Sequence, residues 1–350
     1  MGIIVSKFGG SSMASASMLR RVQALVDGHP DRRILVVSAP GRCAGHSEKV
    51  TDLLARSARL YRGGGDYQGA LSSVVSRFKA IAEGLGTPFD AKESRTVLQN
   101  ALESSEAALL SRGETLCARL LADWMAFPFL DASDVICFDS ANRLNGAETL
   151  RRIGDAFDRL GRFVLPGFYG ADAKGRIVTF PRNGSDITGA LAAAAVSASL
   201  YENWTDVPGV MTADPFIVPE ARVIPRISYR QMRMLTRAGA QVLHPGCLDP
   251  VCMAGIPTRL RGTDRPNQFG TLITDGYDHT APCIAVNAMP DGQGLCAVTA
   301  FALSPRRLKA AVHLLDPVGV RHSDACDRFW VPWDRRAEAA RALHGLIFDR

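Results

Sequence analysis

The segment Val5-Ser6-Lys7-Phe8-Gly9-Gly10-Ser11-Ser12 decides the reading of the chain. Residues Gly2–Phe8 form a short apolar run with β-branched members, which predicts a strand. The strand ends in a lysine, a Gly-Gly pair and two serines. Helical spacing follows over Ser15–Val26, where Met18, Val22, Leu25 and Val26 share one face. A strand, a glycine turn and a helix N-terminus suit an anionic group. The glycines admit close backbone N–H groups, the helix end is partly positive, and Lys7 adds a full charge. The GxxxxGK[ST] spacing of a Walker loop is absent. A tight strand-to-helix turn with a surface lysine would read the same way, so this segment alone leaves both readings open.

Working outward, strand and helix patterns alternate. Arg33–Ser38 reads as a second strand stopped by Pro40-Gly41, and Val50–Arg62 as a helix. Residues 67–127 are helical in pattern, with breaks predicted near Gly84–Pro88 and around Ser111–Gly113. Val135–Phe138, Phe163–Pro166 and Ile177–Phe180 read as strands. The Ala-rich helix Asp186–Leu200 and the strand Glu202–Val207 follow. Ser228–Ala238 and Leu248–Ala254 read as helices and Pro257–Arg261 as a strand. This alternation predicts an α/β protein with a mainly parallel sheet covered on both faces. The composition shifts near Asp275–Pro282, a candidate linker. Residues 283–350 then read strand, strand, helix (Pro305–Leu315), strand (Arg328–Val331), helix (Arg335–Phe348), a small α+β unit.

Composition narrows the function classes. The chain has 350 residues, 47% hydrophobic and 22% charged, which is ample for a buried core. Its net charge of +6 comes from interspersed charges with no run of five or six Lys/Arg, so it points to a solvated surface rather than to nucleic acid. The eight cysteines include no CxxC pair, and Cys247 and Cys252 lie apart from other candidate zinc ligands. Cys117, Cys137 and Cys296 sit in apolar stretches and read as buried thiols, which fits a cytoplasmic setting. The first ten residues lack the features of a signal peptide. The richest apolar run, Ala190–Leu200, is too short to span a bilayer.

Three further segments carry chemistry. Thr179-Phe180-Pro181-Arg182-Asn183-Gly184-Ser185-Asp186 is a basic, glycine-containing loop opening a helix. Arg182 could grip a carboxylate with its planar fork, and Ser185 or Asp186 could cap the helix. Trp204-Thr205-Asp206-Val207-Pro208-Gly209-Val210, followed by Thr212-Ala213-Asp214-Pro215, delivers a hydroxyl and a carboxylate to a strand's C-terminal end, where open α/β sheets bind ligands. An Asp at a Pro-Gly turn is the plainer reading. Gly239-Ala240-Gln241-Val242-Leu243-His244-Pro245 offers an acid/base candidate in His244. A histidine before proline in an apolar stretch is more often structural.

The ordered set VSKFGGSS, VVSAPG, VTDLL, SRGE, FPRNGSD, NWTDVPGVMTADP, GAQVLHP, IPTRLRGT and GTLI closely resembles the aspartokinases of the amino acid kinase family, over about residues 2–274. The resemblance implies a three-layer αβα sandwich of the amino acid kinase type over 1–274. It also implies a small C-terminal ferredoxin-like, ACT-like unit over 283–350. The implied activity is phosphorylation of the side-chain carboxylate of L-aspartate by ATP with Mg2+. By the same likeness, Lys7, Gly9 and Gly10 would cradle the transferring phosphoryl group and Asp186 would orient Lys7. Ser38, Thr51, Glu114, Arg182 and Ser185 would hold the amino acid, Arg182 through a carboxylate and Glu114 through the ammonium. Ser11, Thr205, Asp206, Met211, Asp214 and Gln241 would border the nucleotide. No side chain is assigned to a metal. Without the family likeness, Glu114 reads as a plain helix-face carboxylate.

The chain departs from the family pattern in places. Asn183 stands where the family usually has the first Gly of Arg-Gly-Gly-Ser-Asp; asparagine tolerates left-handed backbone angles. Phe216 replaces a common Arg, Gln241 a frequent Lys, and Met211 a frequent Tyr. Aspartokinases usually carry two ACT units, which bind lysine or threonine and build the dimer. Only about 75 residues follow Thr274 here, room for one unit, so reduced feedback and a less certain homodimer are expected. Two other functions stay open: a relative acting on a different amino-acid-like carboxylate, and a non-catalytic binding relative.

Overall fold

The computed structural model describes all residues except Met1, Arg182, Gln241, Val242, His244, Tyr277, Asp278, Asp324, Asp349 and Arg350. In chain order the first elements are β1 (Ile4–Phe8), α1 (Ala16–Asp27), β2 (Arg32–Val37), α2 (Val50–Arg62), α3 (Gln68–Leu85), α4 (Ala91–Ser104) and α5 (Glu106–Met125). Next come α6 (Ala132–Val135), β3 (Cys137–Phe138), α7 (Gly146–Leu160), β4 (Phe163–Pro166), β5 (Tyr169–Asp172), β6 (Ile177–Thr179), α8 (Gly184–Ala195) and β7 (Leu200–Thr205). Then follow β8 (Arg226–Ile227), α9 (Tyr229–Arg237), α10 (Asp249–Met253), β9 (Thr258–Gly262) and β10 (Thr271–Ile273). The last are β11 (Cys283–Val286), β12 (Leu295–Phe301), α11 (Pro305–Leu315), β13 (Gly319–His322), β14 (Cys326–Pro332) and α12 (Arg336–Phe348).

Two compact units arise. The first comprises Met1–Asp206 with Cys247–Asn267, the second Val207–Gly246 with Gln268–Arg350. In the first, β4, β2, β1, β7 and β9 lie side by side in that order, all parallel. Helices α1 to α5 cover one face, burying Leu19, Val22, Leu54, Phe78, Leu98 and Leu121 against Phe8, Leu35, Val37 and Trp204. On the other face α8 packs on β1 and β7, beside α7 and α10. This is the expected αβα sandwich. A small sheet, β3-β5-β6, stands apart from the main one.

The period of two along a strand assigns the side chains. On β7, Glu202 and Trp204 face the α1–α5 layer, while Tyr201 and Asn203 face α8. Glu202 is 1% exposed and accepts from Ser6 Oγ (2.9 Å), Arg32 Nε (2.7 Å), Arg32 Nη2 (2.9 Å) and Trp204 Nε1 (3.1 Å). Burial alone would push this carboxyl up. The Arg32 guanidinium and the other donors outweigh it and hold Glu202 below the usual range. The network ties β1, β2 and β7 together at the sheet centre.

The structure corrects several boundaries. The helix break expected at Ser111–Gly113 does not occur, because α5 runs unbroken from Glu106 to Met125. Gly113 is there for close packing: a Cβ at that position would lie 2.9 Å from Ala39 Cβ and 3.3 Å from Leu54 Cδ1. The break falls instead at Ser105, which caps α5 by accepting from Ala108 N (3.0 Å). Val135 closes a short helix rather than opening a strand, and Leu200 opens β7 rather than ending α8. Cys137 is only half-buried, unlike Cys117 and Cys296.

In the second unit β8 and β10 pair in parallel, and β11, β12, β14 and β13 form an antiparallel sheet in that order. The run β12-α11-β13-β14-α12 is a βαββα unit. β11 fills the outer place beside β12 that a final strand after α12 would take in a ferredoxin-like fold. Helices α11 and α12 bury Ala311, Leu315, Leu343 and Ile347 against Val298, Phe329 and Val331. The unit is therefore ACT-like.

Replacing Glu202 with alanine leaves Arg32 buried without its counter-ion. We expect a loss of about 3–5 kcal/mol in urea unfolding, against about 1 kcal/mol for Ser6→Ala. Equal small losses would show that the network is not central to the sheet.

Candidate active site

The carboxyl ends of β4, β2, β1 and β7 lie along one edge, because the strands are parallel and adjacent. Lys7, the penultimate residue of β1, points to the α8 face. Its Nζ lies 2.5 Å from Asp186 Oδ1, and the two side chains are 9% and 10% exposed. Asn203 Nδ2 donates to the same Oδ1 at 2.9 Å, and Tyr201 Oη donates to the Asp186 carbonyl at 3.1 Å. Alternate residues of β7 therefore fix the first turn of α8. Asn203 was not among the expected site residues. Its signal was a polar amide on the same strand face as Tyr201, within an otherwise buried strand.

The turn after β1 is equally constrained. Gly9 N donates to Trp204 O (2.9 Å), Ser12 N to Gly9 O (2.9 Å) and Gly41 N to Gly10 O (2.7 Å). A Cβ on Gly10 would lie 2.9 Å from the Ala39 carbonyl oxygen, so only glycine lets the turn approach the β2 loop this closely. Ser11 is half-buried at this turn. Ser12 is buried and shares a 2.6 Å hydrogen bond with Thr263 Oγ1.

The loop into α8 begins at Asn183, with φ 61° and ψ 30°, the left-handed conformation that asparagine tolerates. It makes no side-chain cap, and neither does Ser185 or Asp186, which lie inside the first turn of the helix. Gly184 admits no Cβ, which would lie 2.7 Å from Phe180 Cβ. Gly167, after β4, likewise leaves room for Ser185, whose Oγ would lie 2.6 Å from an added Cβ. Arg182, Gln241 and His244 lie outside the described residues.

Ser38 N donates to Phe8 O at 3.1 Å, and Thr51 occupies the first turn of α2 behind the same loop. Thr205 Oγ1 donates to Asp206 Oδ1 at 3.0 Å, at the end of β7. Met211 and Asp214 belong to the second unit. Met211 bridges to Val223, and Asp214 Oδ1 accepts from Phe216 N at 2.9 Å. Between them Thr212 Oγ1 pairs with His344 Nε2 of α12 at 3.1 Å. Phe216 itself is 98% exposed.

The amino acid kinase family profile matches residues 2–262. The chain belongs to the amino acid kinase family. Aspartokinase 3 of Bacillus subtilis (strain 168) is 33% identical over 311 residues, 84% of this chain and 68% of that protein. The lysine-sensitive aspartokinase 3 of Escherichia coli (strain K12) is 30% identical over 294 residues, 77% of this chain and 64% of that one. The chain thus spans about two thirds of the length of these relatives. The crystal structure of Clostridium acetobutylicum aspartate kinase matches with a TM-score of 0.85 at 25% identity, covering 98% of this chain and 100% of that one. Escherichia coli aspartokinase III in complex with aspartate and ADP matches the fold with a TM-score of 0.83 at 23% identity, over 99% and 100% of the two chains.

In this amino acid kinase Glu114 is the outlying carboxyl. It projects from α5, is 3% exposed, and accepts from Ala39 N at 3.1 Å; among the described residues its buried Oε2 has no partner. The close packing of Gly113 on Ala39 brings it there. Burial pushes its pKa from 4.5 to about 8, against the weaker opposing pull of the Ala39 N–H. Burial, and then the Glu114 charge, raise the neighbouring Cys117 thiol as well. An orphaned buried acceptor of this kind is suited to an incoming cationic group.

The sign of the stability effect follows. Folding holds a proton on Glu114 that the unfolded chain releases near 4.5. The stabilising term is therefore fully present below about 4.5 and is lost as pH rises towards about 8. Glu114→Gln should stabilise the ligand-free protein at pH 8 by on the order of 2–4 kcal/mol, with little difference at pH 4.5. Thermal unfolding across that range checks it; a Gln variant weaker than wild type at pH 8 would refute the assignment.

Proposed function

We propose that this chain transfers the γ-phosphoryl group of ATP to the side-chain carboxylate of L-aspartate, giving 4-phospho-L-aspartate and ADP. The observation that carries this reading is the buried Lys7–Asp186 pair beside the Gly9-Gly10 turn. Lysine, turn N–H groups and a helix N-terminus together form a donor set for phosphate oxygens. The likeness to Bacillus subtilis aspartokinase 3 supports the choice of acceptor.

A carboxylate oxygen of the substrate attacks the γ-phosphorus as the bond to the β,γ-bridging oxygen breaks. The electron pair leaves on ADP. The acceptor is already ionised near neutral pH, so no general base is required. Lys7 offsets charge on the equatorial oxygens, and Asp186 with Asn203 holds the Lys7 ammonium in place. The turn after β1 offers backbone N–H groups to the phosphate, and Gly10 lets that turn lie against the β2 loop. Glu114 receives the substrate ammonium on its unpaired Oε2, and Arg182 pairs with a carboxylate. Ser38, Thr51 and Ser185 complete the amino-acid side, while Ser11, Thr205 and Asp206 border the nucleotide. Mg2+ carried on the ATP phosphates supplies charge neutralisation there.

The eight cysteines are all thiols, which supports a reducing, cytoplasmic setting. Among the described residues no helix is long and apolar enough to cross a membrane. A homodimer is the assembly we expect from the family.

Incubation with MgATP, hydroxylamine and a panel of amino acids tests the reading, because hydroxylamine traps acyl phosphates as hydroxamates. Hydroxamate and ADP should form with L-aspartate and fall by at least about a thousandfold in Lys7→Ala. Product only with another carboxylic amino acid would move the substrate assignment. No product with any of them, from folded protein, would overturn the kinase reading in favour of a binding role.

A further inference from the structure

Arg77, in the middle of α3, is 3% exposed, yet it lies on an apolar helix face with Leu71, Val74, Phe78 and Ile81. Its Nη2 donates to two carbonyl oxygens, those of Ala14 and Gly41, each at 2.7 Å. Ala14 ends the turn that begins at Gly9, and Gly41 lies in the loop after β2. These two segments also touch directly, through Gly41 N to Gly10 O at 2.7 Å. A Cβ on Gly41 would lie 2.7 Å from Gly10 C and 2.8 Å from Gly10 O, so the contact leaves no slack.

A buried cation is costly unless its donors are used. Arg77 has no carboxylate in salt-bridge reach among the described residues, and its Nε is buried without a partner. Its charge is spent on the carbonyl ends of two loops far apart in sequence. Cys43 and His46, in the same β2 loop, also lie within its influence. Burial first, and then the Arg77 charge, hold His46 below the usual imidazole range. A residue needed only to fill the core at this position would be apolar, like its neighbours on the same face.

We infer that Arg77 is a positioning residue for phosphoryl transfer, setting the distance between the phosphate turn Gly9–Ala14 and the substrate loop Ser38–Gly41. This rests on the proposed kinase reaction, in which the two segments hold the two reactants. Arg77 touches neither reactant; it acts through the Ala14 and Gly41 carbonyls. Small errors in the approach of two bound reactants lower the chemical step more than they lower binding.

The test compares wild type with Arg77→Met and Arg77→Lys in the full chain. Arg77→Met is expected to lower kcat by about ten- to a hundredfold, with KM for ATP and aspartate within about threefold. Arg77→Lys, which keeps the charge, should recover part of the loss. Hydrogen exchange is expected to rise in the peptides covering Gly10–Ala14 and Gly41–Cys43 and to stay unchanged in β7 and α5. If the Met variant does not fold, the Lys variant carries the same comparison. Unchanged kcat in either folded variant, a loss confined to the KM of one substrate, or exchange rising uniformly over the chain would overturn the inference. An inactive wild type would instead sink the kinase reading, and the exchange pattern would still decide whether Arg77 holds the two loops.

Discussion

Lys7 and Asp186 form a 2.5 Å ion pair that is about nine-tenths buried, and much of the first unit is arranged around it. A lysine at the end of a central strand, pointing into a protein layer, loses most of its hydration. That loss is tolerable only with a carboxylate and further donors in reach. The Ala-rich α8 brings Asp186, and β7 brings Asn203 to orient it. Gly189 allows α8 to lie close to Tyr201, since a Cβ there would meet Tyr201 Oη at 2.6 Å. On the opposite face of the same strands, Glu202 binds Arg32 and Ser6 and clamps β1 between β2 and β7. The two buried charge clusters occupy opposite faces of one pair of strands. The alternation of side chains along β1 and β7 produces both.

The second unit places the segment around Met211–Asp214 within a folded core. Ala213 and Val218 are buried with residues of α12, and Thr212 bonds His344 on that helix. The ACT-like sheet takes its outer strand from β11, which precedes the βαββα run in the chain. Where family members commonly carry arginine, Phe216 is almost fully exposed. The left-handed Asn183 keeps the geometry of a glycine at the entrance to α8, with a side chain added there.

Much of the fold was legible because the buried strands are short apolar runs with clear stops. Arg32–Val37 ends at Ala39-Pro40, and β1 ends at Gly9. Misreadings arose where tertiary packing overrides local preference. Gly113 looks like a helix breaker but serves helix–loop contact, which no local pattern reveals. β13 was unread because it is an edge strand with Val320, Arg321 and His322 exposed, so it carries no buried apolar pattern. Lys7 stood out from the strand, glycine turn and helix start that surround it, whereas the site roles of Asp186 and Glu114 came through family likeness. Arg77 could have been noticed as a lone cation on an apolar helix face. Its two carbonyl partners come from segments 36 and 63 residues away, beyond any local reading. Asn203 was hidden in the same way, since its value depends on α8 arriving against β7.

The central claim is that Lys7 and Asp186 work as one unit on the phosphoryl group. A double-mutant cycle on kcat tests this most directly, using Lys7→Met, Asp186→Asn and the double variant, each checked for native secondary structure. If the account holds, the double variant is no slower than Lys7→Met alone, because Asp186 acts only through the lysine it orients. Fully multiplicative losses would contradict it and assign Asp186 a separate role in the reaction.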